Sequence, residues 1–302
     1  MKKLLAIAVA AAITVPMAAS ADTKVYGKVH AQLNKVTGGK WDVKSSSSRI
    51  GLKGSNALDN GLTATHKLEM DVDGLVNDQD GKKKAPIQAR DSWVGLKGAF
   101  GEVRVGRHTV PSDIMDDAAD FMTNGGAFNE ETGRVPNALA YIGKFGNVGF
   151  AAARVQPGND AGVAHDLMAN YKAGPIYAGA GVTALKDGKA GAKVALAYKG
   201  ANYGVGLVAG KTTLDKAAKD ANKNADTFTT VSGKYGFGKA YAAAEFGSLK
   251  IDADDSSDTS FLVELGYGLG KSTKTYVDFK SVKDDSADKT TKSTNIGLVH
   301  SF

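Results

Sequence analysis

Apolar and polar residues alternate along most of this chain. Ile50 and Leu52 stand between Arg49, Gly51 and Lys53, and Leu62, Ala64, Leu68 and Met70 among Thr63, Thr65, Lys67 and Glu69. The same rhythm places Val194, Leu196 and Tyr198 among Lys193, Ala195 and Lys199, and Phe261, Val263, Leu265 and Tyr267 among Leu262, Glu264 and Gly266. Successive side chains of a strand point to opposite faces, so each stretch reads as a strand with one apolar and one polar face. A soluble sandwich would show this too, and the connections decide between the two. One kind is tight and glycine-centred: Lys53-Gly54 to Gly61, then 97–101, 143–146, 172–175, 199–202, 235–238 and 267–270. The other is generally longer and polar: 74–86, 109–133, 156–163, 212–225, 250–258 and 283–292, with shorter members near 37–40 and 186–190. Seven tight turns in strict turn with eight outer loops predict sixteen strands, both termini lying on the tight-turn side. Short turns at one end and long loops at the other characterise a transmembrane β-barrel. The expected fold is therefore all-β, a 16-stranded antiparallel transmembrane β-barrel.

The longest outer loop, 109–133, carries a helical pattern. Ile114, Ala118, Phe121 and Met122 form an apolar stripe, and Asp113, Asp116, Asp117 and Asp120 an acidic stripe of the same period. A loop of this length in a compact β-protein is functional or disordered, and an amphipathic helix argues for function. The expectation is that it folds into the barrel, apolar stripe on the inner wall and aspartates facing the lumen, with Glu130 and Glu131 nearer the mouth.

Aromatic residues cluster near the tight turns: Phe100, Tyr141, Phe145, Tyr171, Tyr177, Tyr198, Tyr203, Tyr235, Phe237, Tyr241 and Tyr267. Rings at one height on successive strands make a membrane-interface girdle. One stretch breaks the alternation. From Gln88 to Leu96, Val94 and Leu96 share parity with Arg90, and Trp93 with Asp91. The strand either faces a subunit contact or carries a bulge.

Composition narrows the setting. The chain begins with Lys2 and Lys3, an apolar run from Leu4 to Val15, and Ala19-Ser20-Ala21 before Asp22. Residues 1–21 read as a signal peptide, the run being too short for a membrane helix and followed by Pro16, which leaves 22–302 for the barrel. Removing the two lysines lowers the formal charge from +6 to +4, which gives no case for a nucleic-acid partner. With no cysteine there is no disulfide framework or thiol nucleophile.

The chain ends Ile296-Gly-Leu-Val-His-Ser-Phe302, on an aromatic residue with no tail. Together with the export signal, the strand spacing, Arg49-Ile-Gly-Leu-Lys-Gly54, Trp93-Val-Gly-Leu-Lys-Gly98 and Val103-Arg-Val-Gly-Arg107, this resembles the trimeric general diffusion porins of Gram-negative outer membranes. The resemblance spans 22–302 and implies a homotrimer in the outer membrane, in contact with lipid and lipopolysaccharide. It implies that Phe302 belongs to the signal read by the barrel-assembly machinery, and that small hydrophilic solutes and ions pass. It also implies a constriction between wall arginines and an acidic inward third loop. Arg49, Arg90 and Arg134 match the positions on the second, fourth and sixth strands, Arg107 fits less closely, and Lys67 adds to that wall. Asp113 and Asp120 are the first candidates on the loop, then Asp116 and Asp117. Six arginines against thirty lysines in 22–302 make arginine a selected choice, and its planar fork suits a fixed ladder.

Several look-alikes carry no chemistry. Gly233 to Lys239 has phosphate-loop spacing but Ala240 in place of Ser or Thr, Gly266, Gly268 and Gly270 lack a following helix, and Asp71-Val-Asp73-Gly74 lacks the remaining ligands of a calcium loop. The five histidines are tied to no nucleophile. We therefore expect no enzyme, cofactor or metal, and a passive channel. Two alternatives stay open: a solute-selective channel of the same architecture, and an enzyme or adhesin on a barrel scaffold. The acidic runs Asp252 to Asp258 and Asp284 to Asp288 read as solvated loops before they read as cation bridges to lipopolysaccharide.

Overall fold

The computed structural model describes residues 23–75, 87–124, 133–155, 163–185, 190–213, 225–251 and 256–302. Strands run in chain order as β1 (Lys24–Val36), β2 (Asp42–Ser45), β3 (Arg49–Ala57), β4 (Thr63–Asp71), β5 (Gln88–Gly98), β6 (Gly101–Thr109), β7 (Arg134–Phe145), β8 (Val148–Val155) and β9 (Val163–Ala173). They continue as β10 (Ile176–Leu185), β11 (Ala190–Lys199), β12 (Tyr203–Thr213), β13 (Ala225–Phe237), β14 (Ala240–Ile251), β15 (Ser256–Gly268), β16 (Thr273–Asp284) and β17 (Lys289–Ser301). Every pairing is antiparallel, and β1 pairs with β17 to close one sheet on itself.

Seventeen segments make sixteen staves, because β2 and β3 lie end to end beside β1: β2 pairs with Ala31 to Asn34 and β3 with Lys24 to Lys28. The break falls at Ser46 to Ser48, where Ser47 adopts a positive φ of 55°. Asp73 clasps it, accepting the backbone N–H groups of Ser47 and Ser48 at 2.7 Å each. The turns carry their own chemistry: Gly146 and Gly238 sit at φ 56° and 71°, in the left-handed region open to glycine. The first tight turn begins later than the glycine spacing suggests, since β3 runs on to Ala57.

The faces invert those of a soluble protein. Val29, Leu33, Val94, Val105, Leu139, Leu196, Leu265 and Ile296 are exposed on the outside, while His30, Glu69, Asp91, Asp166, Glu264, Asp278 and Asn295 are buried inside. Exposed apolar area this continuous is not tolerated in water. Covering it with lipid gains about 1.5–3 kcal/mol for each large aliphatic side chain fully covered. Polar pairs across the strands satisfy the inner face, as where Asn34 bonds Asn295 at 2.6 Å and Asn295 bonds Asp278 at 2.7 Å.

Phe302 closes the seam. Its backbone exchanges two hydrogen bonds with Gly27, at 2.9 and 3.1 Å, and its ring occupies the space a Gly27 side chain would fill. Phe100, Phe145, Tyr171, Tyr203, Tyr235, Phe237 and Tyr267 are exposed near the tight turns, as a girdle requires. Two expected members face the lumen instead. Tyr241 is buried against Met122, and Tyr177 packs on the Met115 cluster. Nearness to a turn does not tell which face a ring takes; parity does, and both share the parity of inward neighbours. His66 keeps its outward parity and meets the Thr23 hydroxyl at 3.2 Å.

Candidate pore constriction

The broken alternation in β5 is a bulge. Leu68 pairs with Ser92 and Met70 with Ala89, so Glu69 stands opposite both Arg90 and Asp91. The extra residue turns Arg90 and Asp91 to the same side, which regular pleating forbids. Arg90 Nε then donates to Glu69 Oε1 at 2.6 Å, and its guanidinium lies 3.7 Å from Asp71. Arg134, the first residue of β7, donates through Nε to Asp91 Oδ1 at 3.0 Å. Lys67 donates to Asp91 and lies 3.4 Å from Glu69, which Arg49 approaches to 4.0 Å. Tyr26 donates its hydroxyl to Glu69 Oε2 at 2.7 Å. Four cations thus interlock with Glu69, Asp91 and Asp71 on one wall, β3 to β7. The two central carboxylates were not among the expected site residues, although Glu69 had lumen parity and Asp91 shared that of Trp93.

Arg107 stands apart. Its register partner is Ser92, exposed on the outer face, and no ion pair involves it among the described residues. It shares the outward parity of Val103 and Val105 on β6, which separates it from the cluster, and its Nε is buried without a hydrogen-bond partner.

The third loop folds inward. After Val110, a 3-10 turn (Pro111–Met115) leads into a short α-helix (Asp116–Ala119). Ser112 donates its N–H and hydroxyl to the fully buried Asp166 of β9, which also accepts from Thr183 of β10 at 2.6 Å. Met115 is buried against Ala195, Val208 and Phe228 of β11, β12 and β13. Met122 packs on Tyr241, Ala243 and Leu262 of β14 and β15. Thr123 donates its N–H to Glu264 Oε2 at 2.8 Å, and Asn124 links Asp278 of β16 (3.3 Å) to Ser46 at the break in the second stave (3.1 Å). Residues 110–124 therefore line the inner wall from β9 round to β16, and among the described residues none of them forms an ion pair with the β3 to β7 cluster.

Its acids divide in two. Asp116 and Asp113 face the wall, 2.9 and 3.6 Å from the buried ammonium of Lys193. Asp117 and Asp120 are exposed towards the lumen. Ile114, expected on the wall, is exposed, and Met115 takes its place. The 3-10 turn explains the shift: it advances about 120° per residue rather than 100°, so a stripe counted at α-helical spacing slips in phase. Asp117 feels Arg49, Lys199 and Arg134 across the lumen. Desolvation in the crowded lumen pushes the carboxyls of Asp117 and Asp120 above the usual aspartate range, with nearby cations drawing both back and water on their open side screening the effect. Glu130 and Glu131 lie outside the described residues, as do residues 1–21 and most of the outer-loop tips.

A closed barrel, apolar outside and polar within, with a loop laid along its inner wall, defines a membrane pore architecture. The Gram-negative porin family model matches residues 6–287, and the chain belongs to that family. Outer membrane porin protein 32 of Delftia acidovorans is 39% identical over 119 residues, 37% of this chain and 32% of that protein. The chain thus spans about a third of the curated relatives it matches. Among solved structures, an anion-selective porin from Comamonas acidovorans superposes with a TM-score of 0.75 at 18% identity, covering 93% of this chain and 99% of that one. The trimer form of Vibrio cholerae OmpT gives 0.70 at 16%, covering 93% and 99%.

Proposed function

We propose that the chain forms a passive outer-membrane channel for small hydrophilic solutes and ions. The observation that carries this is the loop from Val110 to Asn124. It covers the inner wall from β9 to β16, and the remaining passage runs between Asp117 and Asp120 on one side and Arg49, Lys67, Arg90 and Arg134 on the other. A field across such a passage orients water and dipolar solutes, so apolar solutes lose by entering. Glu69, Asp91 and Asp71 offset most of the cationic charge, and the reading is weak anion preference rather than strict selection.

The export signal in 1–21, the Phe302 assembly signal, a homotrimer, and contact with lipopolysaccharide complete the proposal. The trimer draws support from the Vibrio structure described as a trimer. In planar bilayers at about 0.01 M salt, where screening reaches about 30 Å, replacing Arg49, Arg90 and Arg134 together by Ser is expected to shift the reversal potential towards cations. An unmoved potential shows that these residues do not line the path.

A further inference from the structure

A second group of inward cations lies beneath the loop. Lys199 ends β11, Lys234 lies near the end of β13 and Lys274 near the start of β16, each within a few residues of a tight turn. Register places Lys199 opposite Gly204 and Lys234 opposite Ala243, on the inner face. None of the three takes part in an ion pair among the described residues. The carboxylates that reach them electrostatically are Asp117, Asp120 and Glu264. Glu264 is already engaged by Tyr241 and by both donors of Thr123. The ammoniums rest on rings instead: Lys199 lies 5.2 Å from the Phe121 ring centre, and Lys234 and Lys274 lie 3.7 and 5.8 Å from that of Tyr241. Lys199 also reaches the Asp117 carbonyl at 3.3 Å, and Lys274 the Thr123 hydroxyl at 2.7 Å.

Between Lys199 and Lys234 lies a cavity of about 260 Å³, with Phe121 on one side and Asn202 at its edge. Glycines 200, 204, 236 and 238 form much of the rest. Gly204 is required there, since a side chain at that position would strike the Phe121 ring. Among the described residues no carboxylate lines the cavity. Its volume is the space of a small solute and not of a polymer.

We propose that this cavity is a binding station for small organic anions: a carboxylate between the Lys199 and Lys234 ammoniums, a flat apolar body between Phe121 and the glycine backbone. Two cations that form no ion pair among the described residues leave charge for an incoming carboxylate, and the ring with bare backbone fits a planar group. The inference deepens the channel reading, because solutes that pause here cross by a saturable route.

Benzoate is the probe and benzamide its neutral control. In planar bilayers carrying the full chain, benzoate is expected to reduce single-channel current saturably, and benzamide is not. In the K199Q/K234Q variant the half-blocking concentration should rise about tenfold, equivalent to about 1.4 kcal/mol, and K199R/K234R should restore the block. Calorimetric titration of the detergent-solubilised protein with benzoate reads the cavity independently of conduction. Benzoate heat that disappears in K199Q/K234Q without any channel current would overturn the channel and keep the station. Normal current with neither block nor heat, or block equal in K199Q/K234Q, would overturn the station and keep the channel.

Discussion

Two walls of the lumen carry cations, and they treat them differently. On β3 to β7, Arg49, Lys67, Arg90 and Arg134 are bound into Glu69, Asp91 and Asp71, with Glu69 and Asp91 almost wholly buried. On β11 to β16, Lys199, Lys234 and Lys274 lie over aromatic rings with no ion pair among the described residues. The residue types suit these roles. A planar guanidinium is held at fixed distances by paired carboxylates, whereas an ammonium on a flexible stem keeps its charge available. The first wall is a rigid boundary whose net field is small. On the second, Lys193 is paired to the loop while Lys199, Lys234 and Lys274 keep their field open. The loop divides the lumen between them: Asp117 feels Arg49 and Arg134 of the first wall and Lys199 of the second, while Asp120 feels Lys199 and Lys274 of the second.

The largest effect should come from removing the divider. Deleting Asp116 to Asn124 takes out Met122, Thr123 and Asn124, the contacts that hold the loop to β14, β15 and β16. The sheet closes through β1 and β17 without them, so the barrel should still assemble. We expect a severalfold rise in single-channel conductance and the loss of any difference between the two walls. Unchanged conductance in an assembled barrel would put the aperture elsewhere.

A smaller and more discriminating effect separates the walls by stability. The double substitution Glu69→Gln and Asp91→Asn leaves four cations facing one another without their central partners. Breaking a fully buried pair costs about 3–5 kcal/mol; these cations keep partial contact with water, so about 2–3 kcal/mol is expected here. It should appear as a clear fall in unfolding temperature, with a shift towards anions. K199Q/K234Q removes as many charges yet breaks no ion pair, and should leave the unfolding temperature where it was. Equal losses in both variants would erase the distinction between a structural and an available wall.

How much of this was readable beforehand follows from what strand periodicity encodes. Alternation gives the face of a residue and the rhythm of turns gives the number of staves, so the barrel, its inward Arg49 and Glu69, and the terminal Phe302 follow from local pattern. Neighbours across the lumen do not. The bulge that turns both Arg90 and Asp91 inward shows only as a broken parity, and it took the register of β4 against β5 to resolve it. The loop was legible as amphipathic, but its phase was not, because a 3-10 turn and an α-helix place different residues on one side over five positions. Hence Asp116 and Asp113 went to Lys193, a residue whose inward parity was plain and whose partners were not. Tyr241 was misplaced for a related reason: a girdle is inferred from height, while the lumen here has a ring requirement of its own.

The smallest predicted effect tests the loop's share of the field. Asp117 and Asp120 are the exposed acids of the loop, and desolvation raises their carboxyl pKa above the ordinary aspartate value of about 3.9. A raised value means that protonation begins at a higher pH than for an isolated aspartate. In their ionised form they offset the cations around them. As pH falls through their raised pKa, that negative charge is lost before most solvated carboxylates protonate, while arginine and lysine keep their charge. Anion preference should therefore strengthen as pH is lowered from 7 towards 4, and not as it is raised. Replacing both by Asn should fix the channel in the anion-preferring state at pH 7 and flatten this part of the profile. The measurement is the reversal potential at about 0.01 M salt, where screening reaches about 30 Å. A wild-type profile without a step, or a step that survives in D117N/D120N, would assign the titration to other groups and leave these aspartates as neutral trim on the loop.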